Sequence, residues 1–279
     1  MGVINITPNS FSDGNLFNSI ESFEPKFNEA CSDFDIIDLG AESTAPFNNP
    51  VDTSEELARF EDLLFPVLRS SEDNALTLSI DTYKIDVFKK VYIEVKKYWP
   101  STQIIFNDVS GKIDEELISI LNSDLDFSYV FSHNLAPSRT ETNKHMEFLT
   151  DEDIILHMHQ YFLNGLGTLA NFNKKIILDP CFGFSKTRQQ NHHLLKNLKH
   201  VFEGIDTRYD LMYGISRKSF LRFPREMDLG DVHNQKILDG TQALLFNKLF
   251  SDIQNRSIIL RVHDLNSIHA LKNTYSIIS

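Results

Sequence analysis

The sequence predicts an α/β chain of the (β/α)8 barrel type, the TIM barrel. Three observations carry this: eight short apolar runs of strand length, helix-period segments between them, and polar residues closing the carboxyl end of every run. Strands buried on both faces read as nearly continuous apolar runs, and a barrel of this type keeps its functional groups at the strand carboxyl ends. A doubly wound open sheet is the rival, but eight consecutive strand–helix units with polar tips fit closure better.

Taken in order, the first run is Val3, Ile4 and Ile6, with Asn5 among them. A carboxamide in a strand buried on both faces needs a polar partner or a ligand. The loop behind it, 7–14, holds hydroxyls, the amide of Asn9, the carboxylate of Asp13 and the ring of Phe11. A simple connection needs none of that chemistry, so the segment reads as a site. The second run, 34–37, ends in Asp38-Leu39-Gly40-Ala41-Glu42-Ser43-Thr44. The third, 76–80, ends in Asp81-Thr82; the fourth, 103–106, in Asn107-Asp108; the fifth, 129–131, in Ser132-His133-Asn134. The sixth, 175–178, ends in Asp179-Pro180, the seventh, 209–213, leads into Gly214-Ile215-Ser216-Arg217-Lys218, and the eighth, 257–260, ends in Arg261-Val262-His263-Asp264.

Between the runs lie helical patterns. Thr53 and Glu56 form a capping-box pattern ahead of Leu57, Phe60, Leu63, Leu64, Val67 and Leu68. Val87, Val91 and Val95 mark one face of the next helix, and Leu117, Ile120 and Leu121 a third. Thr150 with Asp153 can cap a helix carrying Ile154, Ile155, Met158 and Phe162. Leu194, Leu195, Leu198, Val201 and Phe202 mark another, and a long run over 233–250 follows the seventh strand.

At 279 residues the chain matches one barrel of about 250 residues plus loop insertions, so a single domain over 1–279 is expected. The sequence starts directly on its first strand, whereas barrels often carry a preceding segment that closes the bottom; a missing upstream piece belongs to this expectation. A net charge of −12 argues against nucleic acid or an anionic membrane as the main partner. Cys31 and Cys181 stand too far apart for a disulfide framework or metal spacing, which points to a reducing, cytoplasmic setting. No signal peptide or spanning helix is visible.

As one set, the tips are Asn5, Asp81, Asn107, Asp179, Lys218, Arg261 and His263. Facing carboxylates and amides in a dry mouth suit a flat heterocycle rich in donors, because a carboxylate accepts two parallel bonds from an amidine-like edge. Lys218, Arg261 and His263 make an anion-friendly side suited to phosphate. Any single tip reads equally well as a solvated loop residue; the whole set gathered at strand ends does not. Other features read as bland. His192 and His193 sit on an amphipathic helix and are expected at the surface, and the lysines of 84–97 form a solvated flank. His133 suits either substrate contact or loop ordering, and Cys181 reads as packing near the site. Lys186-Thr187 lacks the spacing of a phosphate loop.

Seven ordered stretches, 2–14, 38–46, 80–83, 107–111, 179–187, 216–220 and 261–264, resemble the dihydropteroate synthase family and span the chain end to end. The resemblance implies a barrel transferase of folate biosynthesis. It would join 4-aminobenzoate to 6-hydroxymethyl-7,8-dihydropterin diphosphate and release diphosphate with Mg2+ present. Carried over by position, Asp81, Asn107, Asp179 and Lys218 would hold the pterin, and Asn5, Arg261 and His263 the diphosphate and its metal, with Asn5 as metal ligand. Phe11, Thr44, Pro46, Phe184, Lys218 and Ser219 would shape the 4-aminobenzoate side. Asp13 would close the site or order the metal, and Asp13, Asp81, Lys218 and Arg261 would carry the chemistry. The implied assembly is a homodimer, fused to or paired with an upstream folate-pathway domain. The chain departs from the family at Asn9, where an Asp is usual, at Ala45, where an Arg is usual, and at Cys181 and Ser185, where glycines are usual. The Ala45 departure takes a cation from a mobile lid; Arg139, after the fifth strand, is the other cation that could serve there. Two further readings are the pterin-binding barrel of a folate-dependent methyltransferase and a catalytically weak pterin-binding module.

Overall fold

The computed structural model describes residues 1–7, 19–43, 50–73, 75–222 and 256–263, together with scattered positions from 231 to 249. Its strands are β1 (Gly2–Asn5), β2 (Ile36–Gly40), β3 (Thr77–Asp81), β4 (Gln103–Asp108), β5 (Ser128–Ser132), β6 (Ile176–Asp179), β7 (Asp210–Tyr213) and β8 (Ile258–Leu260). All neighbours pair in parallel and the spatial order is the chain order. Closure comes just past β8. Gly2 bridges Val262 in parallel, Val3 N–H donates to the Val262 carbonyl at 3.0 Å, and Val262 N–H donates to the Met1 carbonyl at 3.0 Å. Gly2 has to be glycine at this seam, since a Cβ would stand 2.4 Å from the Phe34 ring.

Period-two alternation divides the strand residues between two cores. Ile105, Val130, Ile177 and Met212 pack with Met1 inside the barrel, while their neighbours Phe106, Tyr129, Leu178 and Leu211 face the helices. Phe88 stacks on Phe106 at 4.2 Å in that outer layer.

The helices are α1 (Ile20–Asp33), α2 (Thr53–Ser70), α3 (Ile85–Tyr98), α4 (Glu115–Leu121), α5 (Ile154–Leu169) and α6 (Arg188–Val201), with a 3-10 helix over Arg139–Glu147. The described positions between 234 and 249 are helical, inside the expected 233–250 run. Helix α1 escaped the periodicity reading because Phe23, Phe27 and Ala30 form a thin stripe interrupted by Pro25. The expected Thr53–Glu56 capping box is not the one that forms. Asp52 caps α2 by accepting from Glu55 N–H at 2.8 Å, and Glu56 is buried against Lys84 at 2.6 Å. Asp153 caps α5 through Ile155 and Leu156 N–H, while Thr150 accepts from Glu152 N–H instead. A reciprocal capping box does occur at α6, between Thr187 and Gln190.

Candidate active site

Parallel register sets Asn5, Gly40, Asp81 and Asn107 in one row across the carboxyl ends of β1 to β4. Gly40 has no side chain to separate its neighbours: a Cβ there would lie 3.5 Å from Asp81 Oδ2 and 3.7 Å from Asn5 Oδ1. Asp38, two residues before Gly40 and fully buried, organises the row from beneath. Its Oδ1 accepts from Ser79 Oγ at 2.5 Å and from Asn107 Nδ2 at 3.1 Å. Its Oδ2 accepts from Arg261 Nε at 2.6 Å, and Arg261 Nη2 donates onward to Asp81 Oδ2 at 2.7 Å.

Two carboxylates thus share one guanidinium, leaving an excess negative charge in a poorly solvated place. Burial pushes Asp81 up to about 7; Arg261 opposes the rise and Asp38 adds to it. Burial also works against the charge of Arg261, but Asp38 and Asp81 outweigh it and hold the guanidinium protonated. The donated Nδ2 bond fixes the Asn107 amide, whose Oδ1 is buried with no hydrogen-bond partner among the described residues. A buried unpaired acceptor costs about 1–3 kcal/mol, so this oxygen calls for a donor from outside the described residues, a role that a ligand can fill.

The second half of the mouth comes from β6 and β7. Asp179 Oδ1 accepts from Cys181 N–H at 2.7 Å, and burial raises the Asp179 pKa despite that bond and the nearby Lys218. Lys218 Nζ lies 4.9 Å from the centre of the Phe184 ring, which itself stacks on His145 at 4.0 Å. Burial lowers the Lys218 pKa. Ser219 is exposed at the start of a 3-10 turn over Ser219–Leu221. His263 Nδ1 meets Ser216 Oγ at 2.9 Å, and burial, reinforced by Arg217, Arg261 and Lys218, holds its ring neutral at ordinary pH.

Of the residues singled out in the sequence, the structure joins Asp81, Asn107 and Arg261 in one bonded web with Asn5 beside it, and sets Asp179, Phe184 and Lys218 against each other. Phe11, Asp13, Thr44 and Pro46, together with Asn9 and Ala45, lie outside the described residues. The expected anion side is less cationic than its residue types suggest. Two Arg261 donors already serve carboxylates, and His263 is neutral. Among the described residues no three His, Cys, Asp or Glu side chains gather to hold a metal. Arg139 is held among the segments that follow β3 and β4, its nitrogens bonded to Asp108, Asp114 and the carbonyls of Tyr83 and Lys112.

Asp38 was missed as a functional residue, although an acid inside the apolar run Ile36-Ile37-Asp38-Leu39 has the same signature as Asn5. Cys181 and Ser185 take the left-handed conformation at φ 50° and 48°, the region that favours the glycines of the resembled family. The Cys181 thiol is pushed up to about 12 by burial and by Asp179, which agrees with packing rather than reactivity. His133 is wholly buried and orders the loop after β6. His193 is exposed, whereas His192 is half-buried with Nε2 2.8 Å from the Phe220 carbonyl oxygen.

The family model described as pterin binding enzyme matches residues 1–247. A curated dihydropteroate synthase of Bacillus subtilis is 30% identical over 272 residues, covering 96% of this chain and 84% of that protein. The mitochondrial folate synthesis bifunctional protein of Pisum sativum is 30% identical over 235 residues; the match takes in 79% of this chain and 43% of the pea protein. Among solved structures, a Clostridium difficile dihydropteroate synthase crystallised in the presence of pteroic acid superposes with a TM-score of 0.74 at 27% identity, covering 100% of this chain and 95% of that one.

Proposed function

The chain belongs to the pterin-binding enzymes and, among them, to the dihydropteroate synthases, and from that premise we propose how its mouth works. It transfers the 7,8-dihydropterin-6-ylmethyl group from its diphosphate to 4-aminobenzoate, releasing diphosphate, as a transferase of folate biosynthesis. The observation that carries this reading is the fixed, unpartnered Oδ1 of Asn107 beside the Asp81 carboxylate. Asp179 supplies a third acceptor. Together they match the donor-rich amino-pyrimidine edge of a pterin.

Breaking the bond between the methylene carbon and the diphosphate oxygen leaves a cation delocalised into the electron-rich dihydropterin, an SN1-like course. Asp81 and Asp179 stabilise that positive charge from fixed positions. Lys218 donates to the pterin from its place over Phe184. Arg261, clamped between Asp38 and Asp81, presents its remaining donors to the substrate, while His263 and Asn5 serve the leaving diphosphate. The arylamine nitrogen of 4-aminobenzoate, held by Phe184, Ser219 and the loop residues Phe11, Thr44 and Pro46, attacks the methylene carbon and then loses a proton. Such positioning lowers a barrier by about 7–11 kcal/mol in the best cases. Asp13 closes the first loop over the site. Mg2+ commonly takes one or two protein oxygens plus substrate phosphates; the half-buried Asn5 carboxamide fits as such a ligand, and the ion would neutralise charge on the departing diphosphate.

The partners under this reading are the two small substrates. A paired folate-pathway domain is supported by the bifunctional pea relative. A homodimer follows from the resemblance and is checked by sedimentation. No described helix is long and apolar enough to cross a membrane; the cytoplasmic setting rests on the two unpaired cysteines.

The deciding experiment measures diphosphate release from dihydropterin diphosphate with and without 4-aminobenzoate. Release that depends on the arylamine is expected. No release, or binding of a methylated tetrahydrofolate without aminobenzoate chemistry, would overturn the reading.

A further inference from the structure

Lys186 is among the largest fully buried side chains, only 1% exposed, yet among the described residues it pairs with no carboxylate. Its three N–H bonds find three neutral acceptors: His133 Nδ1 at 2.9 Å, the Phe184 carbonyl at 2.9 Å and the Cys181 carbonyl at 3.1 Å. An ammonium buried among neutral groups is costly to desolvate, and burial brings its pKa down to about 8. Such a group needs a reason to be there.

The reason lies in what the three acceptors belong to. Cys181 and Phe184 flank the turn that follows Asp179, where Cys181, Gly183 and Ser185 all take left-handed backbone at φ 50°, 85° and 48°. Two of the three carry side chains, so the turn stores backbone strain that its surroundings have to offset. His133 stands on the neighbouring strand end and is itself immobile. Burial and the adjacent Lys186 charge keep it neutral, so Nδ1 accepts from the ammonium while Nε2 faces His157 Nδ1 at 3.3 Å. Its ring packs edge-on against Tyr161 at 4.7 Å, and Tyr161 is bonded to the Gly111 and Ser132 carbonyls at 2.7 and 3.0 Å. The ammonium therefore ties a strained turn to a rigid strand end. The same turn presents Asp179 through the Cys181 N–H bond and sets Phe184 under Lys218.

We propose that Lys186 is a positioning residue for the pterin pocket, holding the turn after β6 so that Asp179 and Phe184 face the mouth. The inference rests on the pterin-transferase reading above. It is tested with Lys186→Met, which keeps bulk but removes every donor, and Lys186→Gln, which keeps two N–H donors. Binding of pteroic acid is measured by calorimetry, kcat and the KM for 4-aminobenzoate by steady-state kinetics, and folding by thermal unfolding. For a folded Lys186→Met, pteroic acid binding should weaken roughly tenfold or more, as expected when two or more buried bonds are lost. Its kcat should fall by a larger factor than KM rises, and Lys186→Gln should regain part of both losses. The proposal is overturned if both variants stay within twofold of wild type, if the glutamine variant is no better than the methionine variant, or if neither variant folds. Failure of the wild-type chain to bind pteroic acid would instead overturn the transferase reading beneath it.

Discussion

Nη1 of Arg139 lies 2.8 Å from Oδ2 of Asp108, a carboxylate at the end of β4 with no exposure to water. Nε and Nη2 reach Asp114, the residue that caps α4, so the guanidinium locks three segments together. Replacing it with alanine strands the Asp108 charge in the interior, and breaking a buried pair in this way costs about 3–5 kcal/mol. Arg139→Ala should therefore unfold at distinctly lower denaturant, measured by urea titration. A variant of normal stability with a changed KM for 4-aminobenzoate would contradict this and put Arg139 over the mouth.

That arrangement bears on Ala45. With every Arg139 nitrogen engaged, Arg139 is not available to replace the loop cation that the resembled family carries where this chain has Ala45. Ala45→Arg should favour the closed loop pair through Asp13 and lower the KM for 4-aminobenzoate, with pterin affinity almost unchanged, because a competent state that is more populated lowers the apparent dissociation constant. Steady-state kinetics with and without the substitution decide it; a raised KM would indicate a clash.

Asp179→Asn preserves an oxygen for the Cys181 N–H bond, so the turn should survive while the charge is lost. A charge-assisted hydrogen bond contributes about 1.5–3 kcal/mol, which is roughly ten- to a few-hundred-fold in affinity. Calorimetric titration of pteroic acid giving less than a threefold change would remove Asp179 from the pterin contacts.

Arg261→Ala should weaken free pterin as well as pterin diphosphate, because it also frees Asp38 and Asp81 from their shared partner. His263→Ala should act on the diphosphate compound alone. The ratio of the two affinities separates these effects; a ratio unchanged by His263→Ala would take that ring away from the phosphate.

The raised pKa of Asp81 fixes a sign for the pH dependence. Its folded value, about 7, lies above the ordinary one of 3.8, so the empty site holds a proton that the unfolded chain has already lost. Between those values the unfolded state binds fewer protons, and Asp81 therefore makes stability fall as pH rises. Pterin donors favour the ionised carboxylate, so binding should expel up to one proton and tighten from about pH 5 to 7, then level off. Calorimetry at pH 6 in two buffers of different ionisation enthalpy measures the release. Proton uptake, or affinity that falls with pH, would oppose this assignment.

The barrel was legible because each strand carries its own signature: an apolar run and a polar end, needing no knowledge of what lies beside it. The placement of Asp81, Asn107 and Asp179 at strand ends was legible for the same reason. What could not be read is which tips touch. Arg261 looks like a phosphate ligand by residue type, and only the Gly2–Val262 closure, with the register of β1, β2 and β3 behind it, brings it to Asp38 and Asp81. Lys186 looked like a failed phosphate loop because local spacing says nothing about a cage of two carbonyls and a ring nitrogen drawn from the segments after β5 and β6. Helix α1 and the Asp52 cap were lost to local competition, from Pro25 in one case and from an adjacent Thr53 that mimics a cap in the other.

The bridge between Gly2 and Val262 means that the seam of the barrel is sewn by the two ends of the described chain. A chain emerging from the ribosome exposes the unpaired edge of β1 throughout the synthesis of everything between. Arg261 arrives only with the closing strand, so until then Asp38 and Asp81 lack the guanidinium they share. Without the guanidinium, burial would hold Asp81 still more firmly in its protonated form, and the cation that opposes this comes on the same segment that shuts the seam. Completion of the ring and delivery of the cation that the two acids share thus depend on one short stretch of chain.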